Sequence, residues 1–340
     1  MNAEHLPDLV RPRPFRPAAG FSAPHVQTLV GRALRSRDAV PLSRERWTTP
    51  DGDFLDLDFT RDPNPASPLV LVIHGLEGSA TRNYCLETYR ALAHRGVSAV
   101  GLNLRSCSGE PNLKARAYHS GETEDLRWVL GQLARRHPSR PLGAIGFSLG
   151  GNMLLKFLGE ARRDDATQAA GSLSAAVAIS VPFDLAAGSA HLERSWAGRN
   201  IYLPYFLRSL KRKVDAKAHL FPDDIDLDTV RRATTLRDFD QALTAPLHGF
   251  ASALDYYERS SSARWLDSIS TPTLVLQSLD DPFLPRSALP SEALDRNPWI
   301  HAELTPRGGH VGFLEGSPWH PGFWAEASAA HFLAHMLSAA

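Results

Sequence analysis

Cysteine is nearly missing from this chain, with Cys85 and Cys107 the only two in 340 residues. Two thiols cannot staple a chain of that length, and they show no metal-ligand spacing. The pattern therefore excludes a disulfide scaffold and points to a reducing compartment. Net charge is missing as well: lysine and arginine total 37, aspartate and glutamate 37. No overall field draws the protein toward nucleic acid, anionic lipid or acidic ligands, so partners have to be argued from sites. No run is apolar and long enough to cross a bilayer. The opening MNAEHLPDLVRPRPFRP places acids and prolines where a secretory signal needs an unbroken apolar stretch. The expected location is the cytoplasm.

What the chain does have is rhythm. LVLVIH (69 to 74), VSAVGLNL (97 to 104), PLGAIGF (141 to 147), SAAVAISV (174 to 181), PTLVLQS (272 to 278) and WIHAEL (299 to 304) read as strands. Several are apolar at consecutive positions, as strands covered on both faces by helices must be. Between them, TRNYCLETYRALAHRG (81 to 96) and ETEDLRWVLGQLARRH (122 to 137) have helical spacing, and AEASAAHFLAHMLSA (325 to 339) reads as a closing helix. This alternation predicts an α/β domain with a mostly parallel sheet. RERWTTPDGDFLDLDF (45 to 60) alternates around a Pro-Asp-Gly turn and predicts an antiparallel hairpin leading into that sheet. From about 182 to 265 the rhythm stops, and NIYLPYFLRSLKRK brings aromatic and basic residues instead. We expect a single domain, 1 to 340, with residues 182 to 265 inserted as a helical cap over the C-terminal edge of the sheet, where such sheets bind ligands.

The stretch GAIGFSLGGN (143 to 152) surrounds Ser148 with Gly146, Gly150 and Gly151. A strand ending at Phe147, a serine, and a helix opening at Leu149 describe a nucleophile elbow, a turn tight enough to strain the serine backbone and project its hydroxyl from the sheet. Side chains at Gly146 or Gly150 would strike the neighbouring strand or helix, and Gly151 permits close helix-to-strand packing. The helix N-terminus aims N–H groups at the place where an oxyanion would form. A chance Gly/Ser turn is the plain alternative, and the strand-turn-helix setting weighs against it.

A serine hydroxyl is a weak nucleophile until a base takes its proton and a carboxylate orients the base. LDDPFLP, after the strand at 272 to 278, offers Asp280 and Asp281; TPRGGHVGFLEG, after the strand at 299 to 304, offers His310 behind two glycines. Each alone is more often a turn or loop residue, but the order Ser, Asp, His at strand ends is the one α/β-hydrolases use. Asp281, just before the proline and an apolar residue, is the favoured orienting acid; Asp280 fits a turn hydrogen bond, and the two roles could be exchanged. HGLEGS (74 to 79) should supply a second oxyanion donor, giving Leu76 N–H and Leu149 N–H as the expected pair. One such donor contributes about 3 kcal/mol of transition-state stabilisation. His74 reads as a packing residue that holds this loop. A neutral histidine base predicts a rate that rises with pH through about 6 to 7.

Taken together, HGLEGS, NLRSCSGEPN, YHSGETEDL, GFSLGGN, TAPLHGF, DYYERSSS, PTLVLQSLDDPF and GGHVGF, running from about residue 21 to near the C-terminus, resemble the YheT-like α/β-hydrolases, relatives of the mammalian ABHD hydrolases. The resemblance implies the α/β-hydrolase fold and a serine hydrolase with Ser148, Asp281 and His310 as triad, acting on small-molecule esters or acyl lipids without cofactor. The chain departs from the pattern at Ser106, where glycine is expected. Arg105, at a strand end, is expected to pair with Asp125 or Glu122 and fix its loop, with substrate binding as the second role. Cys107 has no base-and-acid set of its own and is a poor nucleophile. No cluster has metal-ligand spacing. NIYLPYFLRSLKRK reads as a packed cap with a solvated basic face, with an acyl-pocket wall as a second role and membrane contact as a minor one. Two alternatives stand beside ester hydrolysis: acyl transfer to an alcohol on the same triad, and a non-catalytic ligand-binding protein on this scaffold. Epoxide and haloalkane chemistry would need a carboxylate at position 148.

Overall fold

Around the Asp51-Gly52 tip, β1 (Leu42–Thr48) turns back antiparallel onto β2 (Phe54–Thr60), as the Pro-Asp-Gly signal predicts. In the computed structural model, which describes residues 11–36, 38, 40–61, 64–160, 173–223, 225–317 and 319–339, this hairpin forms one edge of an eight-stranded sheet. The other strands are β3 (Leu69–Ile73), β4 (Ser98–Asn103), β5 (Leu142–Phe147), β6 (Leu173–Ile179), β7 (Thr273–Ser278) and β8 (Ile300–Thr305), in the order β1-β2-β4-β3-β5-β6-β7-β8. β2 meets β4 antiparallel, and every pairing from β4 to β8 is parallel. All six strands read from the apolar runs are present within two residues of their expected limits.

Residue period two explains the two-sided core. Leu69, Leu71 and Ile73 of β3 pack on one face with the helices α3 (Glu124–Arg136) and α4 (Leu149–Glu160). Val70 and Val72 pack on the other, with α2 (Asn83–Ala93) and the closing helix Trp324–Ser338. Each fully buried valine, leucine or isoleucine contributes about 1.5–3 kcal/mol before the entropy of ordering is set against it. The N-terminal helix α1 (Pro24–Leu34), absent from the sequence expectations, opens with proline in its first turn and buries only Gln27 and Gly31.

Between β6 and β7 the described residues form helices only, among them α5 (Leu185–Arg194), α6 (Leu203–Ala216), α7 (Leu227–Arg232) and α8 (Ala253–Ser260). In α6 the apolar residues Leu203, Leu207, Leu210 and Val214 recur at helical spacing, while Arg208 and Arg212 face solvent. Together with Leu192, Val230, Phe239 and Leu243 they build an apolar cluster distinct from the two against the sheet. After β8, a short hairpin of β9 (Leu314–Ser317) and β10 (His320–Phe323) leads into the closing helix, α9.

Candidate active site

Ser148 sits where β5 stops, with φ at +51°, in the left-handed region that non-glycine residues rarely enter. Its amide donates to Ile179 O at 2.8 Å, and its carbonyl accepts from Asn152 N at 3.0 Å in the first turn of α4. A Cβ at Gly146 would lie 2.4 Å from Gly150 O, and one at Gly150 would lie 2.5 Å from Ile73 O. These neighbours are backbone and cannot swing aside, which is why small residues crowd both sides of the serine.

His310 reaches the serine from the loop after β8: its Nε2 lies 2.9 Å from Ser148 Oγ and its Nδ1 lies 2.7 Å from Asp281 Oδ2. A carboxylate only accepts, so the proton belongs on Nδ1 and Nε2 is left to accept from the serine hydroxyl. Asp281, 5% exposed, also takes the amide of Phe283 on Oδ1 at 2.8 Å. Asp280 instead accepts the Gly309 amide at 3.0 Å, and Phe283 stacks on the imidazole with ring centres 4.1 Å apart. The His310 amide donates to Thr28 Oγ1 of α1 at 2.9 Å, and Val311 N donates to Ser180 Oγ at 3.0 Å. Gly309 has φ +62°, and a Cβ there would lie 2.5 Å from Pro24 O. Arg35 ties the same loop down through Val311 O and Gly312 O while pairing with buried Glu326. None of these α1 contacts had a signal in the sequence, since they join residues 276 or more positions apart.

Leu76 and Leu149 both line the cavity above the serine, and among the described residues neither backbone N–H has an acceptor. The Leu149 amide belongs to the first turn of α4, where no intrahelical partner exists. His74 holds the Leu76 loop: its Nδ1 lies 2.7 Å from Gly75 O and its Nε2 accepts from Leu104 N at 3.2 Å. Burial lowers its pKa to about 4, so the ring stays neutral and structural.

Arg105 takes one of its two expected partners and adds two more. It pairs with Asp125 at 2.7 Å and also with Asp53 and Asp51 of the β1-β2 turn, each at 3.0 Å, whereas Glu122 pairs with Arg116. A buried guanidinium with five donors exceeds what one carboxylate can satisfy, and the hairpin tip supplies the rest. Ser106 adopts φ +60°, the conformation for which glycine is expected, and its Oγ accepts the Asn112 amide at 3.1 Å. Cys107 is buried, and that burial pushes its thiol up to about 11 despite Lys213 beside it.

The serine opens into a cavity of about 860 Å³. Its wall is apolar where α5 and α6 pass, with Leu192, Phe206 and Leu210, and apolar again at Leu243 and at Phe283 of the loop after β7. Polar groups gather elsewhere on the wall. Lys217 is lowered to about 8 by burial, Asp240 is raised to about 6 by burial, and burial holds His119 and His248 near 3 and 4. Among the described residues no group of three or more His, Cys, Asp or Glu side chains could hold a metal.

The chain matches the model of the alpha/beta hydrolase fold over residues 68–317. It is 38% identical over 330 residues to YheT of Escherichia coli (strain K12), covering 96% of this chain and 94% of that protein. It is 35% identical over 299 residues to Phospholipase ABHD3 of Mus musculus, covering 85% of this chain and 71% of that one. The Pyrococcus furiosus esterase Pf2001 shares the fold at a TM-score of 0.57 and 15% identity, covering 98% of this chain and all of its own. No helix among the described residues is long and apolar enough to cross a membrane.

Proposed function

This chain belongs to the α/β-hydrolase family, in its YheT-like, ABHD-type branch, and from that premise we propose that it is a serine hydrolase of carboxylic esters with short-to-medium acyl or lipid acyl groups. The observation that carries the reading is the unbroken hydrogen-bonded chain from Asp281 through His310 to Ser148 at the wall of an acyl-sized, largely apolar cavity. Ser148 Oγ attacks the ester carbonyl while His310 Nε2 takes its proton. Leu76 N–H and Leu149 N–H stabilise the oxyanion, and His310 returns the proton to the departing alcohol. Water then repeats the sequence on the acyl-enzyme, releasing the acid and restoring the serine. Asp281 keeps the imidazole in the tautomer this requires. The helices within 182 to 265 act as a cap whose apolar residues hold the acyl chain.

A series of p-nitrophenyl esters from acetate to palmitate, with and without Ser148→Ala, tests the proposal. Turnover that survives in Ser148→Ala would overturn it, as would failure of a fluorophosphonate probe to label the unaltered protein. Product analysis in the presence of glycerol separates hydrolysis from acyl transfer, because only a transferase diverts most of the acyl group to the alcohol.

A further inference from the structure

Lys213 reaches from α6 to the loop that carries Leu76. Its Nζ lies 2.8 Å from Glu77 Oε1 and 3.0 Å from Cys107 Sγ, over the Tyr118 ring at 5.2 Å. Glu77 directly follows Leu76, is 3% exposed and has φ +54°. A carboxylate this deep costs several kcal/mol unless it is paired, and among the described residues Lys213 is its ion-pair partner. The Tyr118 hydroxyl joins Lys213 on the same oxygen, accepting the Glu77 amide at 2.9 Å and donating to Oε1 at 2.6 Å, while Arg82 donates to the Glu77 carbonyl at 2.6 Å. On the other side of Leu76, the Gly75 amide donates to the Tyr84 hydroxyl at 3.0 Å. The Leu76 amide is thus strung between two anchored peptide planes, with its own plane held at Gly75 O by His74 Nδ1 and the Gly78 amide, and the anchor on the Glu77 side is completed by a residue of the helical insertion.

We infer that Glu77 and Lys213 are positioning residues whose ion pair, together with the His74 contact to Gly75 O, sets the direction of the Leu76 N–H and makes that donor depend on the seating of α6 against the sheet domain. The inference rests on the reading of Leu76 as an oxyanion donor. It goes further in coupling the insertion to the chemical step, not only to substrate fit. A donor that is tilted still leaves the substrate's ground state bound, so the loss should fall on transition-state stabilisation.

The test uses Lys213→Met, Lys213→Arg and Tyr118→Phe in the full chain with a short soluble ester, alongside Ser148→Ala. Each variant is also titrated with a trifluoromethyl ketone, which forms an oxyanion on the serine, and with the matching alkyl ether, which does not. Lys213→Met is expected to lower kcat about tenfold with KM within about twofold. It should weaken the ketone about tenfold and leave the ether unchanged, and Lys213→Arg should restore most of the loss. Tyr118→Phe keeps the ring and removes one hydroxyl, so it should show the same split if Lys213→Met does not fold. Equal weakening of ketone and ether, or an unchanged kcat, overturns the inference. Activity persisting in Ser148→Ala would instead overturn the hydrolase reading itself.

Discussion

The Asp280 carboxylate accepts the Gly309 amide at 3.0 Å, so the acid next to Asp281 grips the loop that presents the imidazole and leaves the imidazole itself to its neighbour. Two adjacent, chemically identical side chains thereby make separate contacts. Asp281→Asn would keep the shape but favour the wrong histidine tautomer, and is expected to lower kcat by about 10⁴. Asp280→Asn removes a loop hydrogen bond and is expected to cost less than about tenfold, with most of its effect on thermal stability. Steady-state kinetics of the two variants checks the assignment; the reverse ranking would exchange their roles.

Acid should unfold this protein earlier than its carboxylates alone would dictate. Burial lowers His74 and His248 to about 4 and His119 to about 3, so the unfolded chain, with histidines near 6.5, binds protons that the folded one refuses. The contribution of each is complete above pH 6.5 and is lost as pH falls toward 4, or toward 3 for His119, by about 1.4 kcal/mol per pH unit per histidine. Asp51, lowered to about 2 with hydrogen bonds from Thr49 and Arg105 outweighing its burial, loses its contribution only below about pH 4. Tm measured from pH 7.5 to 4.5 should therefore start to drop near 6.5. His119→Phe combined with His248→Phe should flatten that slope whatever it does to the absolute stability. An equal slope in both proteins would refute the assignment.

How much of this was legible in the sequence follows from the range of the interactions. The strands are local patterns, and their apolar runs located all six parallel strands as well as the β1-β2 hairpin. The meeting of Ser148, Asp281 and His310 is legible because Ser148 stands at the end of β5 and the other two in the loops that follow β7 and β8, which the sheet brings to one edge. The Arg105 partners were only half legible: Asp125 was expected, while Asp51 and Asp53 come from a turn more than 50 residues earlier, and nothing local marks it. The Gln27 contacts to Leu314 and the Lys213–Glu77 pair were invisible for the same reason. Their side chains are common, their spacing has no period, and only tertiary packing pairs them. α1 was missed because it buries too little to show an apolar stripe.

Chain-length preference should be set by the wall that α6 presents. Leu210 is partly buried against the apolar cluster of the helices between β6 and β7 and lines the cavity, so a larger ring there can extend into free volume without displacing the strands beneath. Acetate, held at the serine, has no atoms to meet it. A long acyl chain loses room, at about 0.8 kcal/mol for each methylene forced back toward water. Leu210→Trp is therefore expected to reduce kcat/KM for a dodecanoyl ester at least tenfold relative to the acetyl ester, the equivalent of two methylenes, while leaving acetyl turnover within about twofold. The ratio of the two p-nitrophenyl esters measures this directly. A ratio that does not move would mean the acyl chain runs along another wall, most simply the one formed by Leu243 and Phe239, and the same substitution at Leu243 should then change the ratio instead.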